Sequence, residues 1–152
     1  MTKTTYDDGT TTLYSYDGPG NLTSLTDQAS NVVQYTYDAA NQLKSVVQKA
    51  SPNPQNTTSY AYDANGNLTN LTDANSHTTA NGFDLLNQLN AETLPAGPPT
   101  QTRTYDAVGN LVSLTDYNGK TTTYTYDTLN RLLCRTPDSM SPAGLCGRPS
   151  GS

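Results

Sequence analysis

The side chains of this chain that could support acid–base or metal chemistry are twelve Asp, one Glu, one His and two Cys. Catalysis by a nucleophile or a general base needs a partner group close by, and no Ser-His-Asp or Cys-His set is indicated. His77 stands in a polar turn segment, and Cys134 and Cys146 are the only thiols. No zinc site of the usual ligand spacing can be drawn from them. The sequence therefore predicts a protein that is not an enzyme, with no catalytic residue, no cofactor and no metal site.

The aspartates could alternatively line a calcium track, because they recur periodically. Calcium needs several carboxylate or carbonyl oxygens that converge on one point. Here each Asp of the repeats is a single acid, about ten or more residues from the next, with Thr or small residues beside it. An Asp at the start of a tight turn can instead accept backbone N–H bonds from that turn. We favour turn capping and keep calcium as the weaker alternative.

The two cysteines also allow two interpretations. A disulfide between Cys134 and Cys146 is one, and two unpaired thiols is the simpler one, because the chain shows no export signal. The first ten residues, MTKTTYDDGT, lack the apolar core of a secretory signal. The sequence alone does not predict a localisation.

Composition and charge exclude several classes of protein. Hydrophobic residues are 33% and charged residues 14% of the chain, with 26 Thr, 15 Asn and 11 Tyr but no Ile or Trp. Thr and Tyr favour strands, whereas Asn, Gly and Asp favour turns. Eight basic residues scattered among thirteen acidic ones offer no cationic surface, so we expect no nucleic-acid binding. No apolar run approaches the roughly 20 residues of a membrane span.

A Tyr-Asp or Phe-Asp dipeptide recurs six times, at intervals of 21 to 25 residues. Two kinds of unit alternate. Type A units read YDGPGNL, YDANGNL and YDAVGNL, and type B units read YDAANQL, FDLLNQL and YDTLNRL. The repeat-defining residues of type A are Tyr16, Asp17, Gly20, Asn21, Tyr62, Asp63, Gly66, Asn67, Tyr105, Asp106, Gly109 and Asn110. Those of type B are Tyr37, Asp38, Phe83, Asp84, Tyr126 and Asp127.

Each unit is predicted to form a strand, a tight turn and a second strand. Gly and Asn in the turn tolerate the positive φ that such turns demand. The fold prediction is all-β, an antiparallel up-and-down meander of about twelve short strands. Before the turn, aromatic residues two apart lie on one face. Tyr35, Tyr60 and Tyr124 on that face could stack on sugars, but cross-strand aromatic packing is the interpretation that we favour.

The apolar residues after each turn are three apart, as in Leu22 and Leu25 or Leu68 and Leu71. Leu43 and Val46, and Leu111 and Leu114, repeat the spacing. A regular strand would put the two members of such a pair on opposite faces. Either a bulge follows each turn, or the sheet is covered on both faces, and the sequence does not decide between them.

The chain divides by pattern into three parts. Residues 1–5 precede the array, residues 6–136 carry the repeats, and residues 137–152 show no pattern and are expected to be disordered. Residues 49–56 and 95–100 contain proline and fall between pairs of units, so we expect loops there.

The alternating motifs Y-D-x-x-G-N-L and Y-D-x-x-N-[QR]-L resemble the YD repeat of the RHS family, over Tyr6 to Arg135. The family includes bacterial RHS toxins, the C component of insecticidal toxin complexes and the teneurins, and its members are secreted or lie at the cell surface. The resemblance implies a β-ribbon that spirals as an open sheet into a hollow shell, which in the toxins encloses a C-terminal toxic domain.

The resemblance also implies a function and partners. It indicates a non-catalytic structural segment of a shell that encapsulates or presents a toxin or effector domain, with carbohydrate or cell-surface binding as the alternative. Six units are too few to close a cavity, and the chain contains no Asp-Pro dipeptide, which puts the family's self-cleavage motif in doubt. The tail after Arg135 is also too short for a toxin domain. We expect a fragment or an orphan array that associates with itself or with other RHS segments through its open sheet edges.

Overall fold

The computed structural model describes residues 2–49, 55–97 and 99–138, and all regular secondary structure in them is β. The all-β meander is thus confirmed, with thirteen antiparallel strands in sequence order. Their bounds are β1 Thr2–Thr5, β2 Thr11–Tyr16, β3 Leu22–Thr26, β4 Val32–Tyr37, β5 Leu43–Lys49, β6 Asn56–Tyr62, β7 Leu68–Thr72, β8 Thr78–Phe83, β9 Leu89–Thr93, β10 Gln101–Tyr105, β11 Leu111–Thr115, β12 Thr121–Tyr126 and β13 Leu132–Pro137. The additional strand, β1, lies where the sequence indicated only a lead. The described residues include no helix that could span a membrane.

The chain divides into two compact units, Met1–Thr78 and Thr79–Ser152. In the first unit each strand from β1 to β7 pairs with the next. In the second unit the same holds from β8 to β13. Most of the expected tail, residues 139–152, and residues 50–54 and 98 of the two expected loops lie outside the described residues.

One turn geometry recurs between the strands in the described part of the chain. In the turn that starts at Asp63, the Asp63 N–H donates to the Asn67 carbonyl at 3.0 Å, and the Gly66 N–H donates to the Asp63 carbonyl at 3.1 Å. Gly66 has a φ of 90°. A tight turn closed by one left-handed residue has the twist that a hairpin requires. Asn41 takes the left-handed position in a type B turn, with a φ of 60°, which Asn tolerates better than most residues.

A bulge follows each of the six turns that begin with a Tyr-Asp or Phe-Asp dipeptide. It explains why the apolar residues after these turns are three positions apart in the sequence. Tyr16 pairs with Leu22 and Tyr14 with Leu25, although one more residue separates the leucines than the tyrosines. The extra residue, Thr23, has no partner across the strand, so Leu22 and Leu25 face the same side. The same shift occurs in all six hairpins, at Thr23, Lys44, Thr69, Asn90, Val112 and Leu133. The bulge alternative is therefore confirmed.

Little of this sheet is deeply buried. Among the described residues only Thr12 and Cys134 are less than a tenth exposed, and no side chain is fully buried. Most strand residues are half-buried against neighbours on the adjacent strands. Turn hydrogen bonds and cross-strand side-chain pairs must therefore supply much of the stability.

Candidate functional site

In nine of the described turns the first residue is an aspartate, and its carboxylate holds the turn together. Asp63 Oδ1 accepts the N–H groups of Asn65 and Asn67, both at 2.9 Å, and Asp63 Oδ2 accepts the Asn67 side-chain amide at 2.9 Å. These three bonds favour the ionised carboxylate, and the bond from the Asn67 side chain contributes most to lowering the pKa of Asp63. The carboxylate is thus engaged inside its own turn.

The same arrangement recurs in nine turns. The aspartates that accept backbone N–H bonds in this way are Asp17, Asp27, Asp38, Asp63, Asp73, Asp84, Asp106, Asp116 and Asp127. The Asp17 turn differs in one bond, because Pro19 has no N–H and the Gly20 N–H bonds to Oδ1 instead. The predicted turn capping is therefore confirmed at all six repeat-defining aspartates.

Occupied carboxylates leave few oxygens for a metal ion. Within residues 2–49, 55–97 and 99–138, no three His, Cys, Asp or Glu side chains come together as a metal ligand set. The calcium alternative gains no support from this part of the chain.

The type A asparagine also reaches the next turn on the same edge of the sheet. Asn21 Nδ2 donates to Asn41 Oδ1 at 2.9 Å, and Asn110 Nδ2 donates to Asn130 Oδ1 at 3.0 Å. The acceptors, Asn41 and Asn130, occupy the left-handed positions of type B turns. At that position of the type B turn, Asn thus both adopts the left-handed backbone and accepts a bond from the type A turn.

The type B glutamine makes the reciprocal contact with a type A glycine. A Cβ at Gly66 would lie 3.1 Å from Gln42 Nε2, and a Cβ at Gly109 would lie 3.0 Å from Gln88 Nε2. Each glutamine therefore covers the glycine of the following type A turn. The two motifs alternate because each contacts the other, which the sequence pattern alone did not explain.

The repeat tyrosines anchor adjacent strands through their hydroxyl groups. Tyr37 donates to the Leu22 carbonyl at 3.0 Å. The corresponding bonds run from Tyr105 to Leu89, at 2.8 Å, and from Tyr126 to Leu111, at 2.9 Å. The accepting leucine is in each case the first residue of a strand, directly before its bulge. At these three of the six repeat positions Tyr therefore has a role that Phe, as at Phe83, could not fill.

The three tyrosines that could face a glycan are half-buried in the sheet. Tyr35 lies opposite Val46, and Tyr60 lies opposite Leu71. Tyr124 lies opposite Arg135. We call the place in each hairpin that such a pair occupies the ladder position, and use the same term for the equivalent pairs in the other hairpins. The pairing supports a packing role for these rings, and glycan binding stays a prediction.

The ladder position becomes polar around β9. Glu92 pairs with Asn81 on one side and with Gln101 on the other. Arg103 Nη2 donates to Glu92 Oε2 at 3.2 Å and also to Gln101 Oε1. The Arg103 and Glu92 side chains are only 20% and 28% exposed. The Arg103–Glu92 ion pair thus lies where the hairpins of the first unit have a contact between a tyrosine and an aliphatic residue.

Tyr117 completes this polar cluster from the turn after β11. Partial burial raises the pKa of Tyr117, and the negative charge of Glu92 and a hydrogen bond to it raise that pKa further. Arg103 Nη1 is buried without a hydrogen-bond partner. Sequence reasoning missed the cluster; the signal was that Glu92, the only Glu of the chain, stands where four of the other five units carry Leu or Val.

The remaining candidates from the sequence are His77 and the two cysteines. His77 follows the Asp73 turn, where its Nδ1 lies 3.2 Å from Asp73 Oδ2 and its side chain is exposed. Cys134 is disulfide-bonded, so the interpretation as two unpaired thiols was wrong. Cys146 lies outside the described residues.

Comparison with known families identifies the repeat. The sequence profile of the RHS repeat matches residues 20–52, 53–78, 62–99 and 105–137, most of the chain. The chain belongs to the RHS repeat family. No curated protein matches it.

Solved RHS structures share the fold. A TcdB2–TccC3–Cdc42 crystal structure matches with a TM-score of 0.68 and 25% identity, and TcdB2–TccC3 without its hypervariable C-terminal region matches with 0.68 and 26%. The Tc holotoxin pore of Photorhabdus luminescens matches with 0.67 and 25%. Each match covers 86% of this chain but only 7% of the other chain. The RHS chain described here thus spans a small part of the length of these proteins.

Proposed function

We propose that this RHS chain is a non-catalytic structural segment of a β-shell that encapsulates or presents a toxin or effector domain. The observation that carries the proposal is that the repeat-defining side chains bond within the sheet. The Asp63 carboxylate binds its own turn, Asn21 binds the next turn, and Tyr37 binds the adjacent strand. Side chains that bond within the sheet in this way stabilise the sheet itself, which is the role of a shell segment.

The similarity to solved structures supports the shell role. One stretch of 86% of the chain superposes on a segment of TccC3-containing complexes. Because 86% of this chain covers only 7% of the matched chain, that chain is about twelve times longer, and a shell would need many more units than this chain carries. Encapsulation is accordingly a property that we propose for an assembly of such segments.

A graft tests the proposal. Residues 6–136 would replace six consecutive units in the shell of a TccC3-type protein, and limited proteolysis would follow the digestion of its C-terminal region. We expect the chimera to protect this region as the parent shell does. A matched graft that carries Asp63→Ala and Asp106→Ala should lose protection, because two turns lose their acceptors. A folded, soluble chimera whose C-terminal region is digested like the isolated region would contradict the shell role.

A further inference from the structure

Three Asn-Gly dipeptides occur in the chain, beginning at Asn65, Asn81 and Asn118. Such a dipeptide can react within itself, because glycine has no Cβ to hinder its backbone nitrogen from attacking the preceding Asn side chain. The fold holds the three dipeptides in different ways, so their rates of reaction should differ.

The reaction is deamidation through a succinimide ring, and water is its only co-reactant. The glycine nitrogen gives its proton to hydroxide and bonds to the Asn Cγ, while the Cγ–Nδ2 bond breaks and ammonia leaves with a proton from water. One water molecule then opens the ring at either carbonyl and leaves Asp or isoaspartate with a new carboxylate. A hydrogen-bonded glycine N–H must first be released, so the rate follows the population of the locally open state.

The Asn81–Gly82 dipeptide lies within β8 and is held by the sheet. Asn81 pairs with Glu92, and Gly82 pairs with Ala91. A Cβ at Gly82 would lie 3.0 Å from Asn90 Oδ1, so this glycine has close neighbours. Release of its nitrogen requires β8 to separate from β9, and paired strands open less often than turns. We expect the slowest reaction at Asn81.

The Asn65–Gly66 dipeptide lies in an exposed turn that is held from two sides. The Gly66 N–H donates to the Asp63 carbonyl. The Asp63 carboxylate accepts three further bonds, one of them from the Asn67 side chain at 2.9 Å. Gln42 covers Gly66, and its Nε2 lies 3.5 Å from the Gly66 carbonyl oxygen. The turn must lose these contacts before the Gly66 nitrogen can attack.

The Asn118–Gly119 dipeptide lies in an equivalent turn with fewer contacts. The Gly119 N–H donates to the Asp116 carbonyl at 2.9 Å. Asp116 Oδ1 accepts the N–H groups of Asn118 and Lys120. Lys120 stands where the other turn has Asn67, and in the described part of the chain no third bond reaches the Asp116 carboxylate. A Cβ at Gly119 would meet no neighbouring atom within 4 Å, so no described side chain covers this glycine.

We propose that Asn118 is the site at which the folded chain deamidates. Each hydrogen bond that its turn lacks makes the turn easier to open, so Asn118 should react severalfold faster than Asn65. Isoaspartate at this position adds a carbon to the backbone before Gly119 and displaces the N–H that closes the turn. The modification would thus loosen the connection between β11 and β12. The proposal does not depend on the shell role.

Peptide mapping by mass spectrometry with fragmentation, on the full chain in mildly alkaline buffer, tests the proposal. We expect deamidation at Asn118 to be severalfold faster than at Asn65, and deamidation at Asn81 to be slowest. Comparable rates at Asn118 and either other site would overturn the proposal. In urea the three rates should become similar. An order that persists in the unfolded chain would also overturn it, because the adjacent residues and not the fold would then select the site.

A double variant isolates the contacts that protect Asn65. Gln42→Ala with Asn67→Lys leaves its turn with the bonds that the Asn118 turn has. We expect Asn65 to deamidate as fast as Asn118 in this variant, while Asn118 keeps its parent rate and serves as the control within the same molecule. Gln42→Ala alone, which leaves every bond to the turn carboxylate in place, should give a smaller rise at Asn65. A parent-like rate at Asn65 in both variants would refute the proposal.

Discussion

The two units of the RHS chain share the same type of aspartate turn but carry different side chains at the ladder position. In the first unit the ladder pairs are Tyr14–Leu25, Tyr35–Val46 and Tyr60–Leu71. In the second unit they are Asn81–Glu92, Arg103–Leu114 and Tyr124–Arg135. The aspartate turns and the bulges are the same in both. The backbone thus depends on the turns, and the ladder position can vary.

The outer turn residues differ as well. The third residue of the repeat turn is Pro19, Ala40 or Asn65 in the first unit and Leu86, Val108 or Leu129 in the second. Both sets leave the turn hydrogen bonds unchanged, since Asp38 and Asp84 each accept the N–H two residues on at 2.8 Å. These positions are therefore available for contacts with other molecules.

The largest loss of stability is expected from removing a repeat tyrosine, which is packed in both units. Tyr62→Ala in the first unit and Tyr126→Ala in the second should each lower the free energy of unfolding by about 2 to 3 kcal/mol, less than the loss of a fully buried aromatic because both rings are half-buried. Urea denaturation followed by circular dichroism measures this. Leu85→Ala, at an exposed position, is the control, and tyrosine variants that unfold like it would contradict the packing role.

Restoring the consensus at the polar ladder position should remove part of the difference between the units. Glu92→Leu with Arg103→Tyr is expected to raise the free energy of unfolding by about 1 to 2 kcal/mol, because the partly buried ion pair needs desolvation that an apolar pair does not. Glu92→Leu alone should destabilise, since it leaves Arg103 without its carboxylate. A double-mutant cycle in urea checks both signs, and a neutral Glu92→Leu would show that the ion pair does not matter.

The contact between type B and type A turns can be isolated with two glycines. Gly109→Ala and Gly119→Ala both incur positive-φ strain, with φ of 91° and 74°, but only Gly109 lies under a glutamine, Gln88. We expect Gly109→Ala to be the more destabilising by about 0.5 kcal/mol, since the glutamine must shift. The excess should vanish in a Gln88→Ala background. Equal losses in the parent background would refute the contact.

Acid should weaken the first unit more than the second, with small contributions from each carboxylate. Hydrogen bonds in the turns lower the pKa of aspartates that are more numerous in the first unit. These are Asp8, Asp17, Asp27, Asp63 and Asp73 in the first unit, and Asp106 and Asp127 in the second. A carboxyl whose pKa is lower in the folded state than in the unfolded state stabilises the fold. The stabilisation is complete above the ordinary pKa of 3.8 and is lost as the pH falls through the lowered pKa of the folded state.

Amide hydrogen exchange, measured at neutral pH and again below the ordinary carboxyl pKa, resolves this for each unit. We expect protection in β6 to fall more than protection in β11. An equal fall in both strands would contradict the assignment of acid sensitivity to the turn aspartates.

Much of this fold could be predicted because the backbone of a tight turn favours one residue type at a given position. The positive φ at the fourth position favours Gly66, and the N–H groups of the turn need an acceptor, which Asp63 supplies. The bulge could not be decided, since Leu22 and Leu25 three apart suit two different sheets. The sequence showed the residues of the bulge but not the register that reveals it.

The polar cluster was missed for a different reason. Glu92 and Gln101 become neighbours only through the pairing of β9 with β10, across residues 95–100, which carry no period. Tyr117 comes from a turn one hairpin further on. A repeat alignment shows where a residue departs from the consensus, but not which departures meet.

Thermal unfolding of the full chain with Asp63→Ala or Asp106→Ala tests most directly that the turn aspartates hold both units in the same way. Each substitution removes the acceptor of three hydrogen bonds in an equivalent type A turn. The account predicts a lower midpoint and weaker β circular dichroism for both variants, with Ala64→Ser, at an exposed position in the Asp63 turn, unfolding like the parent. A parent-like midpoint for either aspartate variant would contradict it.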